Sequence, residues 1–262
     1  MNEAVVSQIK MPFLRMGSGE PLVLLHGLSE CKEGWFKQFE LANQYDLIIP
    51  DFRGHGSNST LEGISIKNYA SDVLALLDFL NIESAHICGF SMGGVVAQEL
   101  YLQAPERCKS LVFACTTPYF FDVIGKIVGK LFKARSSILS AEHRKIIVER
   151  SCFYSWNTEN FQDLEKSLRP NKEGMFKAID ALSEVDYRFS LSKIQVPTLV
   201  IGARYDMLIP LWIPLYMHKQ IPSSEFVILN KAGHIAKLEA ATKFNQKLLQ
   251  FLRKHTNVTK VS

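Results

Sequence analysis

Residues 89–94 read Gly89-Phe90-Ser91-Met92-Gly93-Gly94, a serine framed by glycines, directly after the apolar run Ala85-His86-Ile87-Cys88. A serine hydroxyl attacks a carbonyl only when the backbone presents it and a base removes its proton. The G-x-S-x-G pattern belongs to a tight strand-to-helix turn that does the presenting. Glycines beside the serine avoid the Cβ clashes of so sharp a bend. The residues that follow, Val95 to Tyr101, can carry a buried helix. A glycine-rich turn with a solvated serine would show the same motif, but it needs neither the strand nor the helix.

The base and its orienting acid have candidates of their own. Asp206 stands a few residues beyond the apolar run Pro197-Thr198-Leu199-Val200-Ile201, and His234 ends Asn230-Lys231-Ala232-Gly233-His234, after Glu225-Phe226-Val227-Ile228-Leu229. Both lie past the carboxyl ends of strand-like runs, where open α/β sheets place their sites. Ser91, then Asp206, then His234 is also the chain order that accompanies this serine turn. Plainer readings stand beside these: a surface-loop histidine at 234 and a turn aspartate at 206. Asp180 and Asp186 are the fallback acids, although neither follows a strand.

The elements that must position these residues alternate along the chain. Strand candidates are Val5 to Lys10, Pro12 to Arg15, Pro21 to Leu25, Asp46 to Pro50, Ala85 to Cys88, Ser110 to Ala114, Pro197 to Ile201 and Glu225 to Leu229. Near-continuous apolar runs of this length suit strands covered on both faces, as in a mostly parallel sheet. Between them, Ile66 to Leu80 places Ile66, Tyr69, Val73, Leu76, Leu77 and Leu80 on one helical face, with Ser65 as its N-cap. Phe244, Leu248, Leu249 and Phe251 or Leu252 mark a closing amphipathic helix. Strands alternating with helices predict an α/β domain with right-handed crossovers. The alternation breaks between about Pro118 and Ser190, where apolar residues keep helical spacing. The expected division is a core at 1–117 and 191–262 interrupted by a helical insertion at 118–190.

Totals narrow the function classes. With 262 residues the chain suits one large domain, and a net charge of +4 calls for no polyanionic partner such as nucleic acid. No run of about 18 apolar residues or basic-then-apolar start is seen, so neither a membrane span nor a signal peptide is expected. Five scattered cysteines (Cys31, Cys88, Cys108, Cys115, Cys152), never spaced C-x-x-C, fit a reduced cytoplasmic setting. The seven histidines form no zinc-ligand pattern.

Four blocks together resemble the α/β-hydrolase superfamily, and most of all its small capped serine esterases and lactonases. They are His26-Gly27-Leu28, Asp51-Phe52-Arg53-Gly54-His55-Gly56-Ser57, Gly89 to Gly94, and the Asp206 and His234 loops. The resemblance implies a mostly parallel eight-stranded sheet flanked by helices, with the insertion as a helical cap. It implies Ser91 as nucleophile, His234 as general base then acid, Asp206 as the orienting carboxylate, and the N–H groups of Leu28 and Met92 as the oxyanion hole. Neither a metal nor an organic cofactor is required. His26 would brace the oxyanion loop; the block from Asp51 would be a structural turn held by an Asp51–Arg53 or Arg53–backbone network, and His55 is no base candidate.

The expected reaction is cleavage of a small-molecule ester, lactone or thioester with an apolar acyl group. Relatives with the same triad that hydrolyse or lyse C–C bonds, and slow-turnover small-molecule receptors, are the alternatives. Within the insertion, Phe120, Ile124, Ile127, Val128 and Leu131 share one helical face, with Lys126, Lys130 and Lys133 largely off it. This face could cover an acyl pocket, pack for stability alone, or rest on a membrane surface as a basic amphipathic helix. Tyr119, Phe120, Phe153, Tyr154, Trp156 and Tyr187 suggest an apolar, moderately roomy site. Arg144, Lys145 and Arg150 could meet a substrate carboxylate, with a solvated surface as their default.

Overall fold

A computed structural model describes residues 2–6, 9–120, 140, 143, 146 and 150–256. Six short apolar runs become strands: β3 (Glu20–Leu25), β4 (Tyr45–Pro50), β5 (Ala85–Phe90), β6 (Cys108–Ala114), β7 (Thr198–Ala203) and β8 (Ser224–Leu229). Ahead of them, β1 (Asn2–Val6) and β2 (Ile9–Met16) form a hairpin. Among the described residues these eight strands make one sheet in the order β1-β2-β4-β3-β5-β6-β7-β8. The β1–β2 and β2–β4 pairs are antiparallel and all others parallel, so the sheet is mostly parallel, as the alternation of elements implied.

Alternate side chains leave a strand on opposite faces, and here both faces are covered. Val23, Leu25, Ile48, Ile87, Leu111 and Phe113 face a core shared with α1 (Ile66–Phe79) and α2 (Met92–Gln103). Leu22, Leu24, Leu47, Ile49, Cys88 and Val112 face a second core with Trp35, from the 3-10 segment Lys32–Asn43. Phe244, Leu248, Phe251 and Leu252 complete it from the last helix, Ala241–His255. Ser65 Oγ caps α1 by accepting from Asn68 N–H at 3.0 Å. Of the six residues expected on its buried face, Leu80 alone stays half-buried.

One boundary differs from the sequence reading. The expected break near Met11 falls earlier, between Val6 and Ile9, which are register partners. Ala4, Val6, Met11 and Phe13 turn inward while Val5 is 69% exposed, so the hairpin register, not the apolar run, decides where β1 ends.

Between β6 and β7 the described residues hold α3 (Thr158–Ser167), α4 (Lys172–Ser183) and a 3-10 turn at Arg188–Lys193. Asn157 and Asn171 cap the two helices, accepting from the Asn160 and Gly174 amides. The Lys37 ammonium, 2.5 Å from Asp163, ties α3 to the core. Gly174 lies against Gly54, where a Cβ on either residue would strike the other backbone. Ile124, Ile127, Val128, Leu131, the lysines beside them, Arg144 and Lys145 lie outside the described residues.

The chain first lays β4 on one side of β3 and then returns to place β5 on the other. Successive connections part at the carboxyl ends of β3 and β5. Such a switch point leaves a crevice, and the loops that open on it carry His26-Gly27-Leu28 and Ser91.

Candidate active site

Ser91 follows β5 with φ 51° and ψ −118°, a conformation that L-residues adopt only when the surroundings hold them there. The turn shows why glycines flank it. A Cβ at Gly89 would strike the Gly93 carbonyl, and one at Gly93 would strike the carbonyls of Leu25 and His26. The Ser91 N–H donates to Ala114 O at 3.0 Å, and its carbonyl accepts from the Thr116 hydroxyl at 2.7 Å. Both ends of the residue are therefore fixed by the segment that leaves β6.

His234 lies on the loop after β8 and Asp206 on the loop after β7; both are buried. His234 Nε2 stands 2.9 Å from Ser91 Oγ, and its Nδ1 stands 2.8 Å from Asp206 Oδ2. A carboxylate can only accept, so Nδ1 carries the proton and Nε2 presents its lone pair to the hydroxyl. The other Asp206 oxygen accepts from the Leu208 and Ile209 amides at 2.9 and 2.7 Å, which fixes the carboxylate's rotation. Phe90 closes one side of the imidazole, with ring centroids 5.2 Å apart. Folding thus brings the three side chains expected from the sequence into one hydrogen-bonded line. Asp180, within α4, and Asp186, paired with Arg188, take no part in it.

Met92 opens α2, so its N–H is one of the helix's first donors, which have no carbonyl a turn behind them. Leu28 follows β3 and is half-buried; the carbonyls of Leu25 and His26 pass beside Gly93, which brings this segment against the start of α2. His26 has no exposed surface. Its Nδ1 donates to Gly27 O at 2.8 Å, leaving Nε2 to accept from Phe52 N–H at 3.2 Å. Burial pushes its pKa well below the usual range, in keeping with this neutral tautomer.

Of the two networks expected for the Asp51 block, the Asp51–Arg53 pair does not form, whereas the Arg53–backbone contact does, to Glu62 O at 3.1 Å. Asp51 instead binds the buried Lys32 ammonium at 2.7 Å and accepts from the Lys32 and Ser57 amides. Arg53 turns away to make a bidentate pair with Asp72 of α1 at 2.6 and 2.8 Å, and it also donates to Glu62 O. Although only Phe52 separates Asp51 from Arg53, the turn sends their side chains to different partners. The aromatics of the insertion are likewise dispersed. Phe153 is buried near the His234 loop, where Gly233 packs on its backbone. Tyr187 is buried with its hydroxyl on Glu99, while Trp156 is 62% exposed. Tyr154 rests on Tyr205, with ring centroids 4.4 Å apart.

Other residues that shape the site carry no sequence signal. Glu239 accepts from the Gly233, Tyr154 and Ser155 amides at 2.7, 3.1 and 2.6 Å, tying the histidine loop to the insertion. Glu30 and Lys237 form a buried ion pair behind Gly27. Each is a charged residue whose default reading is a solvated surface. No group of three or more residues suited to a metal is found among the described residues.

Comparison with known proteins gives consistent matches. The family model described as alpha/beta hydrolase fold matches residues 20–241. A pimeloyl-[acyl-carrier protein] methyl ester esterase of Aeromonas hydrophila is 32% identical over 235 residues, spanning 84% of this chain and 90% of its own. A 3-oxoadipate enol-lactonase of Acinetobacter baylyi is 29% identical over 222 residues, spanning 81% and 80%. Among solved structures, a thermophilic esterase from Thermogutta terrifontis superposes with a TM-score of 0.88 at 22% identity, over 98% of this chain and 99% of that one.

Proposed function

The chain belongs to the alpha/beta hydrolase fold family, and from that premise we propose that it is a serine hydrolase cleaving a carboxylic ester, lactone or thioester. The observation that carries this reading is the unbroken line from Asp206 through His234 to Ser91, at 2.8 and 2.9 Å, with the serine held at its strained turn.

In this mechanism Ser91 Oγ attacks the acyl carbon as His234 Nε2 takes the hydroxyl proton. Asp206 keeps the imidazole in the receptive tautomer and stabilises its cation. Charge gathering on the carbonyl oxygen is met by the Leu28 and Met92 N–H groups. Collapse of the tetrahedral species expels the leaving group, which receives the proton from His234. Water, deprotonated by the same nitrogen, then attacks the acyl-enzyme and frees Ser91. Nucleophile, acid–base group, orienting carboxylate and oxyanion donors are in this reading all protein groups.

The substrate we infer is a small molecule with an apolar acyl part. Tyr205, Met207 and Leu208 are exposed on either side of Asp206 and supply apolar surface next to the relay. The relatives' names, an enol-lactonase and a methyl ester esterase, are of the same acyl-transfer class. We assign residues 118–190, inserted between the adjacent strands β6 and β7, as the cap over this surface. No described helix is long and apolar enough to cross a membrane. Five unpaired, buried cysteines suit a reducing compartment such as the cytoplasm.

A panel of esters, lactones and thioesters assayed on the protein and on Ser91→Ala tests the reading, together with labelling by a fluorophosphonate. The expected result is turnover of short p-nitrophenyl esters, loss on the order of 10⁴–10⁶ in kcat on substitution, and label on Ser91 alone. Activity that survives Ser91→Ala overturns it.

A further inference from the structure

Behind Gly27 lies an enclosed ion pair. Glu30 is 2% exposed and Lys237 has no exposed surface, and Lys237 Nζ stands 3.0 Å from Glu30 Oε1. Glu30 Oε2 accepts the Gly27 N–H at 2.8 Å. The ammonium also donates to Gly34 O and lies 5.0 and 5.1 Å from the ring centroids of Trp35 and Phe90. Removing two charges from water costs about as much as their attraction returns, so a well-packed apolar pair would serve stability equally well. Their placement suits a different task.

We propose that Glu30, held by Lys237, is a positioning residue for the oxyanion-stabilising amide of Leu28. The proposal rests on the serine-hydrolase reading above. A trans peptide is planar, so the Leu28 N–H points opposite to the Gly27 carbonyl. His26 holds that carbonyl and Glu30 holds the N–H at the other end of the same residue. Glycine has the weakest conformational preference of any residue and does not fix this peptide by itself. A bulkier residue would crowd the very group that holds it, since a Cβ at position 27 would come 3.0 Å from Phe90 Cε1 and 3.1 Å from Glu30 Oε2, and both side chains would have to give way by a few tenths of an ångström.

Lys237 has two parts in the device. An unpaired carboxylate beside a developing oxyanion would raise the barrier, and the ammonium cancels that charge. Lys237 also belongs to the short helix Ala236–Glu239, which begins two residues after His234. The ion pair therefore gives the imidazole and the Leu28 amide one shared support.

Two double variants separate positioning from packing. Glu30→Gln with Lys237→Met removes both charges but leaves an amide oxygen for Gly27. Glu30→Met with Lys237→Met removes that acceptor as well. Each is assayed on p-nitrophenyl acetate and its thiono analogue, whose sulfur is a weak acceptor, so the ester-to-thionoester ratio of kcat/KM reads the oxyanion contacts. Losing one oxyanion donor outright costs about 10²–10³ in kcat. The variant without the acceptor is expected to lose about 10–100-fold in kcat with KM little changed, and most of its preference for the ester. The Gln-bearing variant recovers most of both. An unchanged ratio in the folded variant lacking the acceptor, or failure of either variant to fold by circular dichroism, makes the pair a stability element and overturns the proposal. Ser91→Ala run alongside keeps the two readings apart: if its activity survives, the hydrolase assignment falls, whereas an unchanged ratio with Ser91 essential removes only the role of Glu30.

Discussion

The Thr116 hydroxyl donates to the Ser91 carbonyl at 2.7 Å, from a side chain that is itself buried against Gly94. This bond crosses from the segment after β6 to the turn after β5, and it helps hold the serine at φ 51°. Thr116→Val keeps the shape and deletes the donor. The expected cost is about 1 kcal/mol of stability, the worth of a typical internal hydrogen bond, with a roughly tenfold lower kcat as the turn relaxes. Urea denaturation and initial rates on one ester measure both. An unaltered kcat would mean that the glycines and the Ala114 contact hold the serine unaided.

Asp206→Asn is expected to leave the fold intact and lower kcat by about 10⁴, as in other triads where the acid becomes an amide. The reason lies in the loop. The Leu208 and Ile209 amides require an acceptor at one position, so the amide oxygen stays there and the NH₂ group turns toward His234 Nδ1. Nδ1 must then accept, and the proton moves to Nε2, which can no longer receive one from Ser91. A melting temperature near the parent value, together with the rate loss, would establish this cause.

Much of this arrangement was legible from the residues alone. The apolar runs locate the strands, and Ser91, Asp206 and His234 stand out as candidates because each lies past the end of one. Pairings across the fold were not legible. Arg53 lies two positions from Asp51 yet binds Asp72, because the turn sends the side chains apart. Lys32, Glu30 and Lys237 look like surface charges in the sequence, since nothing local shows that a partner waits in the interior. Tyr187 looks like a pocket aromatic in the sequence, whereas its buried ring and bond to Glu99 place it in the α2 core. Local pattern reports which face of an element is apolar, and says little about which distant polar group meets it.

Gly174→Ala carries an unusual sign. In an exposed helix this change stabilises by about 0.5–1 kcal/mol. Here the added methyl would meet the Gly54 backbone, which cannot swing aside as a flexible side chain could. Overpacking of this kind costs about 1–3 kcal/mol, so Tm should fall by roughly 2–6 °C. A scanning-calorimetry trace with raised Tm would show that α4 can lift from the turn without penalty.

Stability should decline in mild acid. Burial pushes the pKa values of His26, His55 and His86 below the usual 6.5, and that of His26 furthest. Below pH 6.5 the unfolded chain takes up protons at these positions and the folded chain does not. The unfolded state then binds more protons, and unfolding becomes easier as pH falls. Each histidine contributes about 1.4 kcal/mol per pH unit until its own folded pKa is reached. His55→Asn, which retains a donor for Arg53 O, should flatten the dependence of the urea midpoint between pH 7 and 5 by one histidine's share. An unchanged slope would mean that His55 is protonated in the native state.

The distribution of sulfur turns the two cores into separately readable compartments. Cys108 belongs to the layer containing α1 and α2, whereas Cys88, Cys115 and Cys152 belong to the opposite one. All four are buried in the native fold, none more than 5% exposed. Alkylation followed by peptide mass mapping would therefore record which side of the sheet breathes first, from the natural chain and without any introduced probe.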